Sequence, residues 1–90
     1  MSEAKGWLSL KIQDRPESRK NFQQALLLIS IPKKIVHLAT QRNRIKRLIR
    51  EAFMREGRLD PGKVYLFRAA QDPGDLGLKE VQGAMKELIS

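Results

Sequence analysis

Cysteine is absent from the 90 residues, which excludes disulfide staples and cysteine-ligated zinc and fits a reducing cytoplasm. The single histidine, His37, has no thiolates with which to build a zinc site, and a surface or loop histidine is the simpler reading. Long hydrophobic runs are also missing. The longest, Ala25 to Ile29, is far too short to span a bilayer, and Met1-Ser2-Glu3-Ala4-Lys5 leads into no signal-peptide stretch. The six glycines form no phosphate-cradling loop, because Asp75-Leu76-Gly77-Leu78-Lys79-Glu80 lacks the Walker spacing. Asp72 and Asp75 flank Pro73-Gly74, where turn chemistry explains them better than a general acid and base. By itself the chain is expected to catalyse nothing. It should hold no metal or cofactor of its own, take no small-molecule substrate and contact no membrane.

What is abundant is positive charge. Eighteen Lys and Arg face ten Asp and Glu, a net of +8, and the excess is concentrated. From Arg42 to Arg58 there are seven Lys/Arg and two Glu, a local net of +5. A solvated helix face is the bland explanation. The alternative is a polyanionic partner, favoured because arginine outnumbers lysine and only Glu51 and Glu56 interrupt the run. Ninety residues make one domain, residues 1–90, with an ordinary apolar content and no repeats.

Hydrophobic periodicity outlines the fold. Leu8, Leu10 and Ile12 alternate with Trp7, Ser9 and Lys11, as in a half-buried strand. Gln13 to Asn21 reads as a loop, and Phe22 to Ile31 as a second strand. The run Ala25-Leu26-Leu27-Leu28-Ile29 suits a central position in the sheet, and Pro32 stops the ladder. A long helix is predicted from near Thr40, capped by Thr40 or Ala39, to about Glu56 or Arg58. Gly57 and Asp60-Pro61-Gly62 end it and turn the chain. Lys63 to Ala69 is a third strand. Leu78 to Ile89 is a last helix, with Leu78, Val81, Met85, Leu88 and Ile89 on one stripe. The order β, β, α, β, α describes a two-layer α+β sandwich, with both helices on one sheet face.

The long helix carries the functional signal. At about 100° per residue, Ile45, Leu48, Ile49 and Ala52 collect on one stripe with Phe53 at its margin. Lys46, Arg47 and Arg50 fall on one flank, and Arg44 lies beyond the other. Arg44, Lys46 and Arg47 are expected to face solvent, and together with Arg50 they suit phosphate oxygens. Asn43 pairs a donor with an acceptor and so suits a base edge or a 2′-hydroxyl; a helix-cap amide is its structural alternative. Lys33 and Lys34 add charge just upstream. Tyr65 and Phe67 share one face of their strand, and Trp7 and Lys11 one face of theirs. If those faces coincide and lie open, they offer stacking surfaces for single-stranded nucleotides; otherwise the aromatics fill the core. A DNA-binding helix is the weaker option, since no helix-turn-helix pair is present.

The run Arg42-Asn43-Arg44-Ile45-Lys46-Arg47-Leu48-Ile49-Arg50-Glu51-Ala52-Phe53 closely resembles the signature helix of the bacterial ribonuclease P protein component. The pattern Arg-Asn-Arg-x-Lys-Arg-x-x-Arg-Glu-x-Phe is met at every fixed position. The resemblance extends upstream through Leu27 to Lys34, with Val36 and Ala39 in register, and downstream through Lys63 to Ala70 and Leu76 to Ile89. It implies a fold like the second domain of ribosomal protein S5, with a left-handed crossover around the long helix, against the common right-handed rule. It also implies an accessory, non-catalytic subunit of a ribonucleoprotein endoribonuclease that matures the 5′ end of precursor tRNA. On that basis Arg42, Asn43, Arg44, Lys46, Arg47 and Arg50 would contact the catalytic RNA, and Mg2+ would enter through the RNA partner. Phe53 reads as packing, and Glu51 as an intrahelical partner of Arg47 or Arg55.

Two features depart from the family pattern. His37-Leu38 stands where a glycine-lysine pair is expected. Only Met1 to Gly6 precede the first strand, so the family's opening helix has no counterpart, as in a shortened or divergent member. A sheet face left partly bare is expected either to self-associate weakly or to grip single strands with little discrimination. The competing function is a general RNA-binding or ribosome-associated module with this fold but no part in tRNA processing.

Overall fold

The computed structural model describes residues 2–14, 25–57 and 59–89. In chain order it has β1 (Ser2–Lys5), β2 (Leu8–Asp14), β3 (Leu26–Ser30), α1 (Ala39–Arg55), β4 (Lys63–Ala69) and α2 (Leu78–Ile89). The strands form one sheet in the order β1-β2-β4-β3. Pairing is antiparallel for β1 with β2 and β2 with β4, and parallel for β3 with β4. The parallel pair is joined through α1, so the strands before and after the long helix are neighbours.

The two-layer α+β arrangement agrees with the sequence pattern, with one strand more. Ser2–Lys5, read as a short lead-in, pairs with β2 across a tight turn at Gly6-Trp7. Gly6 takes the left-handed region at φ 60°, which a residue without a Cβ occupies at no steric cost. The last strand and last helix keep their expected bounds, Lys63–Ala69 and Leu78–Ile89. The long helix starts one residue earlier than expected. Its N-cap is Leu38, whose side chain makes no capping bond, so neither Thr40 nor Ala39 is the cap. Gln13 and Asp14, expected to open a loop, instead extend β2 by pairing with Val64 and Lys63; the rest of that loop and the start of the second strand lie outside the described residues.

The second strand needs a larger correction. Its apolar run pointed to a central position, yet β3 is an edge strand. An uninterrupted run signals that both faces are apolar, but the number of neighbours is set by topology. Here the second face is open: Leu26 is 38 % exposed and Leu28 47 %.

Register assigns the two faces of the sheet. Leu8, Leu10 and Ile12 of β2 stand opposite Ala69, Phe67 and Tyr65 of β4, which stand beside Leu27 and Ile29 of β3. This face meets the helices in one core with Ile45, Ile49, Ala52 and Phe53 of α1 and Val81, Met85 and Leu88 of α2. Phe53 meets the Tyr65 ring edge-on at 5.5 Å between centroids and the Phe67 ring at 6.2 Å, a favoured aromatic geometry. Burying each such side chain contributes about 1.5–3 kcal/mol, which makes Phe53 the link between the sheet and the functional helix.

The connections are held by local polar contacts. Pro32 ends β3, and its carbonyl accepts bonds from the amides of Ile35 and Val36, both at 3.0 Å. After α1, the Asp60 carboxylate accepts from the Gly62 amide and the Asp60 carbonyl from the Lys63 amide. The Asp60 amide in turn donates to the buried Tyr65 hydroxyl at 2.9 Å. Asp14 and Lys63, register partners at the ends of β2 and β4, form an exposed ion pair.

Candidate nucleic-acid interface

α1 is built to be held on one side only. Its buried residues, Ile45, Ile49, Ala52 and Phe53, recur at helical spacing and commit one stripe to the core, which leaves the polar arc to the cations. No acidic residue stands in its first turn, while Arg42, Arg44 and Lys46 crowd its N-terminal half. The helix macrodipole is positive at that end, so cations placed there are unfavourable unless negative charge arrives from outside.

The structure divides the motif's cations into two groups. Arg42 leans back over the connector, and its guanidinium donates to the carbonyls of Val36 and His37, both at 2.9 Å. Arg44 reaches the other way. It donates to the Leu76 carbonyl at 2.6 Å and pairs with Asp75 at 3.3 Å, tying α1 to the loop before α2. Gln41, one turn earlier on the same flank, donates to the Gly74 carbonyl at 2.7 Å. The expectation that Arg44 simply faces solvent is therefore corrected: it is half-buried against the β4–α2 loop.

Asn43, Arg47 and Arg50 are exposed, Lys46 is half-buried, and none of them makes a tether of this kind among the described residues. They occupy the arc opposite the core, where Arg47 and Arg50 line a shallow depression with Glu51, Met54 and Arg55. Asn43 lies five residues inside the N-cap, so the cap alternative for its amide does not apply. Glu51 pairs with Arg55 at 3.0 Å, which settles its partner and leaves Arg47 without that carboxylate. Met54, 79 % exposed, is an apolar member of this surface that charge counting missed. Lys33 and Lys34 are exposed in the turn leading into the helix.

The proposed stacking face does not exist as a unit. Tyr65 and Phe67 are buried against α1, at 4 % and 0 % exposure, whereas Lys11 points from the opposite face, where it is exposed beside Leu66. Trp7 sits in the β1–β2 turn, half-buried against the core. The two aromatics share a strand face as their spacing required, but it is the face the helices cover. Among the described residues the other face instead carries Ser9, Lys11, Leu26, Leu28, Leu66 and Arg68, with Val64 buried beside Leu26, an aliphatic strip edged by two cations.

A long basic helix over a four-stranded sheet is matched at the level of a whole family: the Ribonuclease P family profile aligns with residues 7–90. The chain belongs to the ribonuclease P protein family. A relative from Bacillus pumilus, the ribonuclease P protein component, is 38 % identical over 70 residues, covering 77 % of this chain. The aligned part spans 58 % of that relative's length. The RNase P protein of Staphylococcus aureus superposes with a TM-score of 0.78 at 26 % identity, over 99 % of this chain and 77 % of its own. The RNase P protein of Thermotoga maritima, solved in complex with 1-(4-fluorophenyl)-2-thiourea, has a TM-score of 0.79 over 98 % of this chain and 81 % of its own. At 19 % identity that likeness establishes the fold alone. Among the described residues, no helix is long and apolar enough to cross a membrane.

Proposed function

We propose that this chain is the non-catalytic, RNA-binding protein subunit of ribonuclease P and acts in the cytoplasm. It binds the catalytic RNA through the outer arc of α1 and assists 5′ maturation of precursor tRNA. The observation that supports this most directly is the arc itself, where Asn43, Arg47 and Arg50 are exposed, with Lys46 half-buried beside them, on a helix anchored by its opposite side. Arginine suits the role because its planar fork bonds two phosphate oxygens at once. Lys33 and Lys34 extend the positive field upstream.

The chain's part in the reaction is electrostatic and positional. Its cations reduce repulsion between two polyanions, the catalytic RNA and its substrate, and so favour their docking. Arg42 and Arg44 serve this indirectly by fixing where α1 lies relative to the connector and the β4–α2 loop. Magnesium is held by the RNA in this reading.

Reconstitution tests the proposal. Adding the chain to a transcribed ribonuclease P RNA and precursor tRNA should restore cleavage at low magnesium, with a smaller effect at moderate magnesium. Binding to the RNA should weaken with salt at a slope of roughly −3 to −5 for about four to six phosphate contacts. A slope near zero, or cleavage indifferent to the protein at both magnesium levels, would overturn it.

A further inference from the structure

α2 is a charge-sorted helix, which its stripe of core residues hides in the sequence. With Val81, Met85 and Leu88 buried, successive residues at about 100° place Lys79, Gln82, Gly83 and Lys86 on one flank and Glu80 and Glu87 on the other. The lysine flank is turned toward α1. Arg55, Glu56, Lys79, Gln82, Gly83 and Lys86 line a groove of about 410 Å³ between the two helices. Glu56 is the one carboxylate of that lining, set against the three cations Arg55, Lys79 and Lys86. Glu80 accepts the Gly77 amide at 2.9 Å, closing the N-terminal turn of α2, and Glu56 accepts the Gly57 amide beyond the end of α1. Lys79 and Lys86 are exposed. Gly83 leaves the rim bare, since a Cβ there would meet nothing within 4 Å. A glycine inside a helix costs about 0.5–1 kcal/mol relative to alanine, and here close packing does not require it.

We propose that the groove between α1 and α2 is a second RNA-binding surface, taking the phosphodiester backbone of a strand other than the one on the outer arc of α1. Lys79 and Lys86 stand two helical turns apart, about 10 Å along the axis. That spacing suits a row of charges and not a single anion, which would need convergent donors. Gln82 lies between the two lysines and supplies a neutral donor and acceptor for sugar or base edges. Arg55, paired with Glu51, lies at the junction of groove and outer arc and adjoins both surfaces. The chain would thus join two RNA segments across its helical layer. This inference rests on the proposed RNA-binding function, and the test separates the two.

The full chain carrying Lys79→Gln and Lys86→Gln is compared with one carrying Arg47→Ala and Arg50→Ala, each titrated with a transcribed ribonuclease P RNA at several salt concentrations. The groove variant should keep the wild-type melting temperature and lose about 1–2 from the salt slope, near 0.7–0.9 for each phosphate contact removed. Its loss should add to that of the arc variant, as expected for separate contacts. Because the chain has no cysteine, Gly83→Cys and Met54→Cys can each carry an iron chelate for tethered hydroxyl-radical cleavage. The two probes should cut different strands of the RNA. If the groove variant binds as wild type while the arc variant is weakened, or if both probes cut the same strand, the groove proposal is wrong and the α1 reading stands. If neither variant weakens binding, the RNA-binding function fails and the groove falls with it.

Discussion

Arg44 and Arg47 are three residues apart in one basic run, yet their replacement should have opposite consequences. Arg44→Ala removes a charged hydrogen bond to the Leu76 carbonyl and an ion pair with Asp75. Hydrogen bonds to charged groups contribute about 1.5–3 kcal/mol when well shielded. The Arg44 side chain is 39 % exposed and that of Asp75 98 %, so the ion pair adds little and solvent screening reduces the total to about 1 kcal/mol. For a domain of this size, that corresponds to a fall in Tm of about 4–8 °C. Arg47→Ala removes no described contact and should leave Tm within about 1 °C, as for surface substitutions generally. RNA titration should rank the two differently. Arg47→Ala takes about 1 from the salt slope and weakens binding uniformly across sequences. Arg44→Ala keeps the slope at a temperature where both proteins are folded. Thermal melts by circular dichroism and filter binding at four salt concentrations suffice. The division of labour is refuted if Arg44→Ala melts as wild type while lowering the slope, for then its contacts to the loop give way to RNA.

Three further outcomes follow from particular contacts. Tyr65→Phe keeps the edge-on packing with Phe53 but leaves the Asp60 amide without its acceptor, so stability should drop by about 1–2 kcal/mol in urea unfolding; an unchanged midpoint would show that water replaces the hydroxyl. The Lys63 ammonium, through its hydrogen bond and then its charge, holds the Asp14 carboxyl below the usual carboxylate range, while Asp14 raises Lys63. A depressed carboxyl stabilises the fold above its unfolded pKa and is lost in acid, whereas a raised lysine stabilises below its unfolded pKa and is lost in alkali. Asp14→Asn should therefore lower Tm slightly at neutral pH, and the difference should shrink as pH falls through the lowered carboxyl pKa; a constant difference down into acid would exclude the pair as its source. Finally, the side chains described on the open sheet face are aliphatic or cationic, and none among the described residues is a ring to stack on. With the RNA subunit present, the preference for leader-bearing over leaderless tRNA should stay below tenfold, about 1.4 kcal/mol, and a larger preference in a competition assay would show that the aliphatic strip discriminates.

Residue order alone determined the local elements whose signal is periodic. Alternation over Lys63–Ala69 and the 3.6-residue stripe of Leu78–Ile89 gave both elements their observed bounds, because one solvent-facing side forces a regular pattern on the chain. It also determined the family, through the dense motif beginning at Arg42. Tertiary structure decided whatever depends on a distant partner. Ser2–Lys5 has no pattern of its own and is a strand only because β2 offers its edge across the Gly6 turn. The apolar run of β3 shows two greasy faces, but only the strand order placed it at an edge. Tyr65 and Phe67 were bound to share a face, and it was their pairing with Leu10 and Ile12 that turned that face to the helices. The same holds for the arginines, which have identical chemistry and near-identical context in sequence. Carbonyls of the connector and the β4–α2 loop lie within reach of Arg42 and Arg44, whereas the arc beneath Arg47 and Arg50 faces outward. A guanidinium becomes a strut or a ligand according to which acceptors the fold brings within about 3 Å of it, and no local pattern encodes that distance.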